Sequence, residues 1–234
     1  MILGSILNPE VEKMLKYQTN QIQRLGVEVR LGTEVTPTLV EKEKADAVVL
    51  AVGGIPPALE VPGADGENVF SADDASRYML GQPAKKKGGR IAPLVLRYFY
   101  KPAFIRSLLR FSSPFGKRIV IIGGKFAGLE FADTLGEKGK EVTVLEESKR
   151  MGSDIGPSTR FVTLGRMKEL GVRMETTAKV EEITEKGVRG VRVTKEGSTE
   201  LFEIEADTVI ITADLKENRE LAHQLEGVVP AIYL

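Results

Sequence analysis

Three observations predict that this 234-residue chain is an α/β protein assembled from two copies of one unit. The first is a self-match. Arg24-Leu25-Gly26-Val27-Glu28-Val29 aligns with Glu169-Leu170-Gly171-Val172-Arg173-Met174 at an offset of 145 residues, and the same offset pairs Val35 with Val180. After a further 16 residues in the second copy, Ala45-Asp46-Ala47-Val48-Val49-Leu50-Ala51-Val52 matches Ala206-Asp207-Thr208-Val209-Ile210-Ile211-Thr212-Ala213. The second observation is that helical and extended patterns alternate along both copies, the order that builds a parallel sheet. The third is a glycine-rich bend between a strand and a helix at residues 118–132.

The elements follow in order. Asn8-Pro9-Glu10 opens a helix with a capping Asn and Pro at the first helical position, and Gly26 stops it. Its apolar stripe is Val11, Met14, Leu15, Ile22 and Leu25. A short strand is expected over Val27 to Leu31, and Ala47 to Val52 reads as a buried strand of the parallel type. Gly53-Gly54-Ile55-Pro56-Pro57 then breaks the chain. Further on come a strand at Arg118 to Ile122, a helix from Phe126 to about Lys138, a strand at Glu141 to Leu145 and a helix from Pro157 to Leu170. Strands are expected near Val172 and Val180, then at Val188 to Thr194, Thr199 to Ile204 and Thr208 to Thr212. The middle three, linked by Lys186-Gly187 and Glu196-Gly197-Ser198, read as an antiparallel meander, which accounts for the second copy's extra length.

Composition narrows the chemistry. With 42% apolar and 28% charged residues the chain is neither disordered nor collagen-like. It has no run near the roughly 18 residues of a membrane span and no signal-peptide start, so a cytoplasmic protein is expected. The absence of cysteine removes disulfides, thiol redox pairs and iron–sulfur or Cys-ligated zinc sites. His223 is the only histidine, which argues against a Ser-His-Asp triad or a histidine metal site. No side chain stands out as a catalytic acid, base or nucleophile, and no metal site is expected.

The bend at Gly123-Gly124-Lys125-Phe126-Ala127-Gly128 sits where a dinucleotide pyrophosphate rests on a helix N-terminus, held by free backbone N–H groups and the positive end of the dipole. Glu146 ends the next strand, 18 residues after Gly128, where a carboxylate accepts from ribose hydroxyls and favours NAD over NADP. Lys125 departs from the G-x-G-x-x-G pattern, because the middle glycine lets the backbone approach the pyrophosphate. Its side chain either obstructs the dinucleotide or meets the phosphates; a structural turn holding no ligand is the competing reading.

The runs Ala45 to Pro57, Gly123 to Ala132, Val142-Thr143-Val144-Leu145-Glu146 and Asn218-Arg219-Glu220-Leu221-Ala222 together resemble the C-terminal half of the old-yellow-enzyme-like NADH:flavin oxidoreductases, the group of 2,4-dienoyl-CoA reductase and trimethylamine dehydrogenase. This resemblance implies two nested Rossmann-like dinucleotide folds, the first for FAD and the second for NAD(H), beside an FMN-bearing TIM barrel that the chain lacks. It divides the chain into an FAD-type remnant at 1–72 and 219–234, an insert at 81–115 and an NAD(P)H domain at 116–213. The repeat places the first copy's glycine turn about 22 residues before Met1, so a fragment that does not retain FAD by itself is expected. Two further positions depart from the pattern: Asp214, after Ala213, stands where the first copy has Gly53, and Glu217 stands where the family commonly has Pro. The resemblance puts this loop near the nicotinamide, and Glu130 too, which reads equally well as a helix-face acid. The function expected is hydride passage from NADH to flavin; a degenerate ADP-binding or scaffold domain is the alternative.

The formal charge of zero hides an asymmetry. Residues 75–129 carry twelve Lys and Arg and no acid, and eight of these cations lie in the insert, interleaved with Tyr98, Phe99, Tyr100, Phe104, Phe111 and Phe115. Three partners stay open for it: its own domain or a second subunit of a homo-oligomer, an anionic substrate or the missing barrel, and an anionic membrane surface. Nucleic acid is not expected, since no recognition motif accompanies the charge.

Overall fold

In the computed structural model, which describes residues 9–55, 59–79, 115–194, 196–212 and 216–234, the regular elements follow the alternation in the sequence. The first part of the chain forms α1 (Pro9–Arg24), α2 (Pro37–Glu43), β1 (Ala47–Val49), β2 (Gly54–Ile55), β3 (Val69–Ser71) and α3 (Ala72–Met79). The middle forms β4 (Arg118–Ile122), α4 (Phe126–Gly136), β5 (Glu141–Glu146), α5 (Pro157–Glu169) and β6 (Arg173–Thr176). Then come β7 (Ala178–Thr184), β8 (Gly187–Val193), β9 (Thr199–Glu205), β10 (Thr208–Ile211), β11 (Lys216–Glu217), α6 (Glu220–Leu225) and β12 (Ala231–Tyr233). Two units result, Met1–Leu15 with Ala58–Ala213 and Lys16–Pro57 with Asp214–Leu234.

The larger unit is a Rossmann-like α/β fold. Its five-stranded parallel sheet has the order β3-β10-β4-β5-β6. Ile119 and Ile121 of β4 point to one face and Val120 to the other, and all three are buried, because helices cover one side and the meander the other. On the helical side Ile119, Ile121, Val144 and Ile210 pack with Leu129, Ala132 and Leu135 of α4 and with Met167 of α5. Arg166 of α5 clamps Asp133 (2.5 Å) and Glu137 of α4. On the other side β7-β8-β9, antiparallel as expected, buries Val180, Ile183, Val188 and Phe202 against Val120, Leu145 and Val209.

One boundary is corrected. Residues up to 72 were expected to belong to the first copy, but Val69, Phe70 and Ser71 pair with Val209, Ile210 and Ile211 of the larger unit's sheet. Burial is the reason: Val69 and Phe70 are core residues there, and α3 places Ala75 and Met79 beneath them. Residues 80–114 of the insert lie outside the described residues. Its last aromatic, Phe115, is buried edge-on against Phe70 (5.3 Å between ring centres) and beside Tyr78, so this ring packs on its own domain.

The start of β4 is fixed by Asp207. Its carboxylate accepts from Lys117 N (2.9 Å) and Arg118 N (2.8 Å), and from the Arg118 guanidinium at Nη2 (2.7 Å). These bonds, the Arg118 side chain first, hold the Asp207 carboxyl at about 2, below its ordinary 3.8. A depressed native pKa contributes stability above the unfolded value and loses it as pH falls through the native one. Wild-type urea midpoints are therefore expected to drop between about pH 4 and pH 2, and Asp207→Asn to flatten that slope. An unchanged slope would refute the assignment.

In the smaller unit, Thr36 caps α2 by accepting from Leu39 N (3.3 Å), Pro37 starts it, and Lys44 closes it in the left-handed region. β1 and β12 form a parallel pair, β2 and β11 an antiparallel one, and Val40, Leu50, Ala222, Leu225 and Val229 make a small core. Asn8, expected to cap α1, lies outside the described residues. Two expectations fail here. Val27 to Leu31 is not a strand, and β1 is not a buried one: Val49 is 75% exposed. Ile22 of α1 and Leu25 just after it are exposed as well. A sheet of two strands is too narrow to cover these side chains or to give 27–31 a neighbour to pair with. The repeat itself is visible in the backbone: Gly26 and Gly171 both end a helix at positive φ (68° and 72°), and in each the next residue's N–H returns to the carbonyl five residues back.

Candidate functional site

The glycine turn stands at the carboxyl end of β4, between β5 and β10. The backbone bends at Gly123 (φ 112°), whose N–H donates to Leu145 O (2.8 Å). The Thr212 hydroxyl holds the bend from the other side, its single proton shared between Gly123 O (2.9 Å) and Ile122 O (3.1 Å). A Cβ on Gly123 would overlap the Thr212 carbonyl, and one on Gly128 would overlap the Gly123 carbonyl. These two glycines therefore let α4 start directly against the strand end.

Glu146, at the tip of β5, is buried and points back at the turn. One oxygen accepts from Gly124 N (2.7 Å) and the other from Ser148 N (2.9 Å). A carboxylate has about four acceptor positions, so both oxygens keep capacity for a hydroxyl donor. Gly124 O accepts from Gly152 N (2.6 Å), and the Met151 side chain lies over Gly124, where a Cβ would overlap its sulfur.

At the helix start, Lys125 is the N-cap residue in extended conformation but makes no side-chain capping bond. The cap comes from elsewhere: Phe126 N donates to both carboxylate oxygens of Asp154 (3.0 and 3.2 Å). Phe126 and Ala127 are exposed and Lys125 is half-buried. Glu130, one turn into α4, also faces outward, and partial desolvation by the surrounding protein, aided by the Asp133 carboxylate, raises its pKa above the usual carboxylate range.

The structure thus gathers Gly123, Gly124, Lys125, Phe126, Ala127, Gly128, Glu130 and Glu146 about one turn. Gly53 belongs to the smaller unit, where it lines a cavity of about 240 Å³ with Leu50, Val52, Glu217, Asn218, Arg219 and Leu234. Ala213 and Asp214 lie outside the described residues. Reading the sequence alone missed Thr212, Ser148, Met151 and Asp154. Asp154 carries no local signal: it stands two residues before Gly156, the N-cap of α5, and the N–H it caps is that of Phe126, 28 residues earlier.

A glycine turn that leads from a parallel strand, β4, into a helix, with an acid at the tip of the neighbouring strand, β5, is the arrangement of Rossmann-like α/β folds. Residues 5–229 match the pyridine nucleotide-disulphide oxidoreductase family model, and the chain belongs to that family. It is 27% identical over 246 residues to a metal reductase of Desulforamulus reducens, covering 91% of this chain and 31% of that protein. It is 29% identical over 182 residues to an NADH oxidase of Thermoanaerobacter brockii, covering 78% of this chain and 23% of that one. A solved 2-naphthoyl-CoA reductase complex superposes with a TM-score of 0.71 at 25% identity, over 99% of this chain and 30% of that one. The chain therefore spans about a quarter to a third of the length of these relatives. Among the described residues no helix is long and apolar enough to cross a membrane.

Proposed function

We propose that the larger unit is the NADH-binding module of a flavin oxidoreductase similar to the old-yellow-enzyme-like group, and that the smaller unit belongs to its FAD fold. The observation that carries the reading is the Gly123–Gly128 turn at the N-terminus of α4 with the Glu146 carboxylate bonded onto it from the neighbouring strand tip. The turn suits an anion, since the carboxylate of Asp154 already rests on its Phe126 N–H. NADH would supply a hydride; the chain's part is to bind and orient. The backbone at 125–127 holds phosphate, and Glu146 accepts from the ribose and repels a 2′-phosphate. In the smaller unit a cavity opens at the carboxyl ends of β1 and β12, the end at which parallel sheets take ligands. The choice of electron acceptor is assigned to a further, FMN-bearing portion of the kind this group carries.

A second reading, an ADP-binding or scaffold module, is favoured by the Lys125 side chain and by Met151 over Gly124. NADH titration of the chain, with hydrogen exchange followed at the 123–128 amides, separates the two. Saturable protection in the micromolar range supports the first, and no protection at millimolar NADH refutes it.

A further inference from the structure

The segment after β5 doubles back over the glycine turn and satisfies it from within the chain. Gly152 N donates to Gly124 O, Met151 covers Gly124, and Asp154 takes the Phe126 N–H. Arg160 of α5 anchors the segment by donating from Nε to Met151 O (2.6 Å), and Met151 and Ile155 are buried beneath it. Asp154 itself is exposed. The same N–H that would meet a nucleotide phosphate is therefore engaged by a fixed carboxylate at the positive end of the helix dipole. A phosphate and the Asp154 carboxylate cannot share that donor, because two like charges would then lie at hydrogen-bond distance.

We propose that Asp154 is an internal stand-in for phosphate that keeps the turn closed, so that a pyrophosphate-bearing nucleotide binds by displacing it. The proposal rests on the nucleotide reading above. The closed form lowers apparent affinity by the fraction of molecules that are open. For one charge-assisted hydrogen bond of ordinary strength, that amounts to about tenfold.

Calorimetric titration of the wild-type chain, Asp154→Ala and Asp154→Asn with NADH, ADP and adenosine at fixed ionic strength tests it. NADH and ADP are expected to bind about tenfold more tightly to Asp154→Ala, Asp154→Asn to gain less because it keeps an acceptor oxygen, and adenosine, which lacks phosphate, to be unaffected. In the ligand-free Asp154→Ala variant the Phe126 amide exchanges faster. A purely structural cap would instead lower the melting temperature of both variants with no gain in affinity, which overturns the proposal. An equal gain for adenosine, the mark of a loosened segment, overturns it too. If the wild type binds NADH and neither variant binds it more tightly, the stand-in role falls and the nucleotide reading survives; if no protein binds NADH or ADP, both fall.

Discussion

Gly128→Ala is expected to destabilise the larger unit by about 3 kcal/mol and to abolish NADH binding, because the new methyl would overlap the Gly123 carbonyl and reach to within 2.9 Å of the Thr212 hydroxyl. Neither partner is the free end of a flexible side chain: one is backbone and the other is a β-branched hydroxyl held against the carbonyls of Gly123 and Ile122. Relief requires α4 to move off the strand end, and that movement withdraws the N–H groups that would face phosphate. Gly165→Ala is the control. It lies inside α5 with open space around it, so alanine there is expected to stabilise by about 0.5–1 kcal/mol through helix propensity. Urea unfolding of the two variants, with an NADH titration of each, reads out both effects. Equal stability of the pair would show that the turn is not packed as described.

Gly63→Ala is expected to cost about 3 kcal/mol as well, from a different cause. Gly63 has φ of 80°, and a Cβ would overlap the Ile183 carbonyl. Here Pro62 O accepts from Ile183 N (2.9 Å), and Asn68 Nδ2 donates to Thr184 O (2.9 Å), so the segment from Pro62 to Asn68 lies pinned along the meander before β3 enters the sheet. The substitution pushes this strap off β7. Hydrogen exchange should report it as lost protection at Ile183 and Val209 before the amides of β5 are affected. Uniform loss across the sheet would mean that the strap is not a separate point of attachment.

The strap also shows what the sequence could and could not reveal. Continuous β-branched runs such as Ile119 to Ile122 and Thr208 to Ile211, and stops such as Gly171, carry their structure locally, so strands, helices and the meander are legible in order. The glycine turn and Glu146 are legible for the same reason: their chemistry is compressed into 24 consecutive residues. Val69-Phe70-Ser71 is only three residues long, and nothing near it in sequence indicates a partner at 209–211. Met151 and Asp154 are similarly silent, because their role depends on where a loop lands and not on their neighbours in the chain. Val27 to Leu31 fails in the opposite sense: its pattern is that of a strand, but a strand needs an adjacent one to exist.

The parallel pairing of Val69 with Val209 sets a timetable for synthesis. β3 leaves the ribosome before any other strand of its sheet, and its hydrogen-bonding partner is made 140 residues later. At translation rates of about 5–20 residues per second, that is a wait on the order of ten seconds. For that interval a strand with two core side chains has no place to dock, while β4, β5 and β6 are made in succession and can align among themselves. Until β10 is made, the edge of β4 that it will cover has no partner in its final place, and an uncovered edge is a template for mispairing with other nascent chains. Only β10 closes it, bridging the oldest strand to the newer ones in a single step.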